Sequence, residues 1–137
     1  MAFKRIKGSD RGLIERTISS TAFSVGDLLQ YSRTGAVVET ASATSEIDNL
    51  AGVVVKATTT ADTVVLLQRI MPGDVYEVDT LNAANASHNY MRCIWGAGQT
   101  INNTGTDVVG DTGLFMQTGK TGTNKVVGEF VTGSHGD

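Results

Sequence analysis

The last third of the chain carries the pattern that most narrows the fold. Asn102-Asn103-Thr104-Gly105-Thr106-Asp107 leads into Val108-Val109, then Gly113-Leu114-Phe115-Met116, then Lys125-Val126-Val127-Gly128-Glu129-Phe130-Val131. Each apolar run is too short for a helix and is closed by Gly, Thr, Asn or Asp, the residues that turns demand. β-branched side chains are stiff at χ1 and suit a pleated, half-buried surface. The rhythm predicts short strands, and short strands between Gly-marked turns predict a sandwich or a barrel. The stretch holds no catalytic or ligand-binding pattern, so the question becomes one of partners.

The same rhythm runs through the earlier sequence. Thr21 to Val25 alternates, with Phe23 and Val25 on one face. Leu28 to Tyr31 and Ala36 to Glu39 flank a hairpin turn at Ser32-Arg33-Thr34-Gly35. Thr40 to Asn49 is small and polar and predicts an exposed loop, long enough either to make contacts or to fold back on its own domain. Ala51 to Lys56 is continuously apolar until its end, as in a strand covered on both faces. Thr63 to Ile70 predicts the longest strand, and Met71-Pro72-Gly73-Asp74 a type II turn. Val75 to Asp79 alternates, leaving Val75, Glu77 and Asp79 on one wet face. One short helix is expected over Leu81 to Ser87, capped by Thr80 or Asn82 and ending near His88-Asn89. Tyr90 to Trp95 predicts a further strand, broken by Gly96-Ala97-Gly98. The expected fold is mainly β: a compact antiparallel β-barrel or sandwich of short strands, with one short helix and an extended N-terminal arm.

A chain of 137 residues is expected to form one domain and to bury about two-thirds of its unfolded surface. The division expected is an arm over residues 1–18 and a single β-rich domain over 19–137. Charge follows the same division. Lys4, Arg5, Lys7, Arg11 and Arg16 face only Asp10 and Glu15 within residues 1–16, a net +3, and the remainder carries −6. A basic leader beside an acidic body suits docking on a protein surface. The cations are few and lack interleaved aromatics beyond Phe3, which argues against nucleic-acid binding. The single cysteine, Cys93, has no internal partner and is expected as a small buried hydrophobe. The basic start has no apolar stretch behind it, so synthesis in a cytoplasm without signal-directed export is expected.

Motifs for chemistry fail on spacing. Gly119-Lys120-Thr121 lacks the glycine that a phosphate-binding loop needs five residues before Gly119, where Leu114 stands, and a β-like run follows it instead of a helix. It reads as a glycine-rich hairpin turn. Gly96-Ala97-Gly98 has Ile101 where a dinucleotide fingerprint requires its third glycine. His88 and His135 are the only histidines, and neither belongs to a ligand-spaced set. Glu77 and Asp79 share a strand face, as many solvated pairs do. The expectation is therefore no enzyme, no catalytic residue, no cofactor and no metal site.

The order of the segments resembles a known family. Gly26-Asp27-Leu28-Leu29 is followed by Ala51-Gly52-Val53-Val54, Thr63 to Ile70, and Pro72-Gly73-Asp74-Val75-Tyr76-Glu77-Val78. Then come Asn102-Asn103-Thr104-Gly105-Thr106-Asp107, a Gly-Leu-Phe segment and Val126-Val127-Gly128-Glu129-Phe130-Val131. Over residues 23–131 this is similar to the head decoration, or cement, proteins of tailed bacteriophages. The resemblance implies a virion structural protein on the outer capsid surface that stabilises the shell by bridging major capsid protein subunits. It implies homotrimers, with the major capsid protein and further copies of the chain as partners and no membrane or direct nucleic-acid partner. It also implies an N-terminal arm along the lattice, which makes Phe3, Lys4, Arg5, Ile6, Lys7, Arg11, Leu13 and Ile14 the candidate capsid-contact residues. Other readings left open are another β-rich virion component (a head fibre base, a head–tail joining protein or a tail-tube protein) and a small nucleic-acid or carbohydrate-binding barrel.

Overall fold

The computed structural model describes residues 3–8, 12–34, 36–41, 49–71, 73–90, 92–95, 100–103 and 115–131. Residues 42–48 of the loop expected over Thr40 to Asn49, Val108-Val109, Gly96-Ala97-Gly98, Pro72, Arg11 and the terminal 132–137 lie outside them. The strands are β1 (Phe3–Lys7), β2 (Leu13–Thr17), β3 (Leu28–Tyr31), β4 (Val38–Thr40), β5 (Leu50–Val54) and β6 (Val64–Gln68). After these come β7 (Val75–Asp79), β8 (Arg92–Trp95), β9 (Ile101–Asn102), β10 (Phe115–Gly122) and β11 (Lys125–Phe130). They form two antiparallel sheets, ordered β1-β7-β11-β10-β8-β9 and β2-β6-β5-β3-β4. A lone parallel bridge, Thr80 to Ile101, curls the first sheet without closing a ladder. The architecture is a sandwich, not a closed barrel.

Phe3, Tyr76, Phe115 and Phe130 fill the inner face of the first sheet, with ring centroids 5.2 to 6.3 Å apart in the contacting pairs. Four of these five pairs are edge-on, with interplanar angles of 71° to 84°, the arrangement the ring quadrupole favours. The rings pack on Leu28, Leu50 and Val53 of the second sheet. Gly128, opposite both Tyr76 and Gln117, makes this possible. A Cβ there would overlap the Met116 carbonyl oxygen and lie 2.7 Å from the Phe115 ring.

The second sheet is covered twice. Its other face holds a second core of Leu29, Val38, Ala51, Val54, Val65 and Leu67, closed by Ile18 and Phe23. Every residue of β5 is consequently buried, as its unbroken apolar run predicts. The cover is irregular chain where a strand over Thr21 to Val25 was expected. Thr58 holds it: its N–H donates to the Phe23 carbonyl, and its Oγ1 accepts from the Phe23 N–H and donates to the Thr21 carbonyl.

Other differences have local causes. The expected helix over Leu81 to Ser87 is reduced to a 3₁₀ turn at Ala86–His88, capped by Asn85. Its backbone groups are used elsewhere: Leu81 N–H bonds the Ile101 carbonyl, Ala84 N–H the Thr123 carbonyl, and the Asn103 side chain takes Asn82 N–H and the Asn82 and Ala83 carbonyls. The longest described strand is β10, not the Thr63 to Ile70 run. Gly119-Lys120-Thr121 lies within β10, and the turn falls at Thr123-Asn124. The turn after β6 matches its reading: Asp74 N–H bonds the Met71 carbonyl, and Gly73 takes φ +87°.

The largest difference concerns the N-terminus. Residues 3–7 pair with β7 and residues 13–17 with β6, so the segment expected as an arm supplies one outer strand to each sheet. Phe3, 2% exposed, is a core ring. The positive charge that marked this segment conceals the one aromatic that anchors it. Phe3→Ala is expected to cost about 3–5 kcal/mol in urea denaturation, as for other buried phenylalanines; a free arm would lose nothing. Gly128→Ala is expected to destabilise by about 1–3 kcal/mol in the same assay, through overpacking.

Candidate contact surface

The candidate contact residues divide by the alternation of β1 and β2. Phe3 is enclosed, and Ile14 is half-buried against the second core. Neither offers its side chain to a partner. Arg5 points between the sheets and lies 3.9 Å from Asp74. Lys4, Ile6 and Lys7 are exposed, Ile6 at a bulge where β1 shifts register against β7. Leu13 is exposed on β2. The structure therefore leaves Lys4, Ile6 and Lys7 as an outward set on β1, while Leu13, though exposed, faces the opening between the sheets.

β2 is also an open edge. Gly12 C=O accepts from Arg69 N–H, and Ile18 N–H donates to the Thr63 carbonyl. By antiparallel alternation, the backbone groups of Leu13, Glu15 and Thr17 face away from β6. Arg16 is occupied: its Nε donates to the Tyr31 hydroxyl at 3.0 Å, and its guanidinium carbon sits 5.9 Å from the Tyr31 ring centroid. The outer face of the first sheet mixes signs, with Lys4 opposite Glu77, and Lys125 Nζ bonded to Asp79 at 2.8 Å. That pair holds the Lys125 ammonium above its ordinary pKa, chiefly through the hydrogen bond. Mixed charge of this kind marks a solvated face more than a strong electrostatic footprint.

Between β1 and the second sheet the sandwich opens into a cavity of about 400 Å³. Phe3, Leu13, Val25 and Val55 give it apolar walls, and Lys4, Arg5, Gln68 and Tyr76 also line it. The Gln68 and Tyr76 side chains are buried, and the Gln68 Oε1 and Tyr76 hydroxyl have no hydrogen-bond partner among the described residues. Burial pushes the Tyr76 phenol well above its ordinary pKa; the Asp74 charge adds to the shift and Arg5 opposes it.

Tyr90 is a surface feature that the sequence did not disclose. It was read as part of a strand, yet it is 73% exposed with φ +69°. Gln117, fully buried in β10, positions it: the Gln117 carbonyl accepts from Tyr90 N–H, while its Nε2 donates to the Asn85 carbonyl and Asn89 Oδ1. A tyrosine held on a firm base is the kind of side chain that anchors protein interfaces.

Among the described residues no three His, Cys, Asp or Glu side chains converge as a metal site, and no helix is long and apolar enough to cross a membrane. His88 closes the 3₁₀ turn. No protein-family model matches the chain, and no curated protein sequence matches it.

The phenol shift fixes a pH dependence. An acid whose folded pKa is raised stabilises the fold while protonated, below its unfolded value of about 10, and loses that contribution as pH rises toward the folded value. Stability is expected to fall above about pH 10, and Tyr76→Phe to remove the tyrosine component of that fall in denaturation curves across alkaline pH. At neutral pH, Tyr76→Phe is expected to leave stability unchanged or raise it by about 1 kcal/mol, because it deletes an unsatisfied buried hydroxyl.

Proposed function

We propose that the protein decorates the outside of a tailed-phage capsid and stabilises the shell by bridging major capsid protein subunits. The observation that carries this reading is the ordered set of turn and strand segments, from Gly26-Asp27-Leu28-Leu29 through Gly73-Asp74-Val75-Tyr76 to Val126-Val127-Gly128-Glu129, and its similarity to head decoration proteins. A sandwich with exposed Lys4, Ile6 and Lys7 supports it, since a cement needs shape and repeated modest contacts more than a reactive centre. Each contact can be weak when one assembly touches several subunits, because later contacts form at high effective concentration. The open edge of β2 offers backbone groups to a strand of a neighbouring chain. A homotrimer is part of the proposal and follows from the resemblance.

The test is occupancy on purified expanded capsids. Deleting residues 1–16 would remove Phe3 and two strands, so it tests folding more than docking. The double substitution Ile6→Ser with Lys7→Glu leaves the core intact. It is expected to weaken capsid binding about tenfold, equivalent to ~1.4 kcal/mol, with an unchanged circular dichroism spectrum. Equal occupancy for this variant removes the outer face of β1 from the mechanism. No binding by the unaltered protein, or only a single ring of copies per particle, overturns the decoration role.

A further inference from the structure

We infer that the cavity between β1 and the second sheet binds a small anionic amphiphile, a molecule with one carboxylate and an aliphatic chain of medium length. The chain follows from the walls. Phe3, Val53 and Val54 are buried apolar lining, and Leu13, Val25 and Val55 line the same space while remaining 37% to 45% exposed. The cavity thus has an apolar mouth, and an aliphatic chain laid in it removes that surface from water. The size fits, since about 400 Å³ lies within the range of small-molecule pockets. Contact with these open surfaces suffices; the enclosed Gln68 Oε1 and Tyr76 hydroxyl take no part.

The head group follows from the charges. Lys4 and Arg5 line the cavity, and among the described residues no Asp or Glu does. Arg5 is half-buried and points between the sheets. Asp74 lies 3.9 Å from it, longer than a hydrogen bond, and offsets part of its charge from outside the lining. Lys4 is exposed on the same strand, and Glu77, opposite it in the ladder, is also no part of the lining. A cleft with low-dielectric walls and charge of one sign concentrates that field at its opening. A carboxylate there gains two cations, one of them a guanidinium whose planar fork matches its two oxygens. An ammonium head meets like charge, and a neutral head gains neither interaction. This inference does not depend on the capsid role.

NMR titration of the full chain tests it with octanoate, octylammonium and acetate. Octanoate is expected to bind, and to bind more weakly as salt is added, because salt screens the head-group attraction. Octylammonium, with the same chain and the opposite charge, is expected to be at least about tenfold weaker through like-charge contact. Acetate lacks the chain and is expected not to bind at the same concentration. Lys4→Gln is expected to weaken octanoate about two- to fivefold, the scale of an exposed ion pair. Leu13→Glu, at an exposed position, sets a carboxylate in the mouth and is expected to weaken octanoate at least about tenfold, with a melting curve confirming that the variant folds. No shifts on adding octanoate to the unaltered protein overturn the site. Octylammonium or acetate binding as tightly as octanoate, or octanoate affinity untouched by both substitutions, also overturns it.

Discussion

The packing of Phe3 against Tyr76, Phe115 and Phe130 is the contact on which the remaining structure depends. All four rings belong to one sheet, on four different strands, and together they present a single apolar face to Leu28, Leu50 and Val53. Edge-on pairs of this kind contribute about 0.5–1.5 kcal/mol each beyond the area they bury. Their geometry requires space that a side chain at residue 128 would occupy. The ring of Phe115 lies where that side chain would be, so a missing methyl group in β11 sets the depth of the whole layer.

The sequence disclosed those features that reside in alternation and in turn chemistry. Val75 to Asp79 reads as a half-wet strand because Tyr76 and Val78 alternate with polar neighbours, and burial follows that pattern. Ala51 to Val54 reads as doubly covered because no polar residue interrupts it. What covers it was not legible, because Ile18 and Phe23 stand in irregular chain held by one threonine. The helix failed for a related reason. Ala83, Ala84 and Ala86 favour helix locally, but Asn103, Ile101 and Thr123 take the backbone groups, and such long-range partners leave no local signature.

The candidate contact residues show the same limit. A basic segment with scattered apolar residues looks like a solvated arm when charge is read without periodicity. Alternation in β1 sends Phe3 and Arg5 inward and Lys4 outward, and with Ile14 three of the seven described candidates serve the interior. The cavity was not legible at all. It arises because the outer strands of two sheets do not meet, and its lining joins Lys4, Arg5 and Leu13 to Gln68 and Tyr76, which are distant from them in sequence. Tyr90 was hidden by a left-handed backbone whose N–H bonds the carbonyl of the buried Gln117.

Because β1 pairs with residues 75–78 and β2 with residues 64–68, two early strands have late partners. During synthesis, Phe3 must remain without its ring neighbours until β7, β10 and β11 have been made. Contacts between residues so far apart slow folding, since a long loop must close before any reward is gained. The nascent chain would thus expose an aromatic and an unpaired edge until residues 64–78 have been made. That places a premium on the lysines and arginines beside Phe3, whose charge keeps the waiting strand from associating with its copies on neighbouring ribosomes.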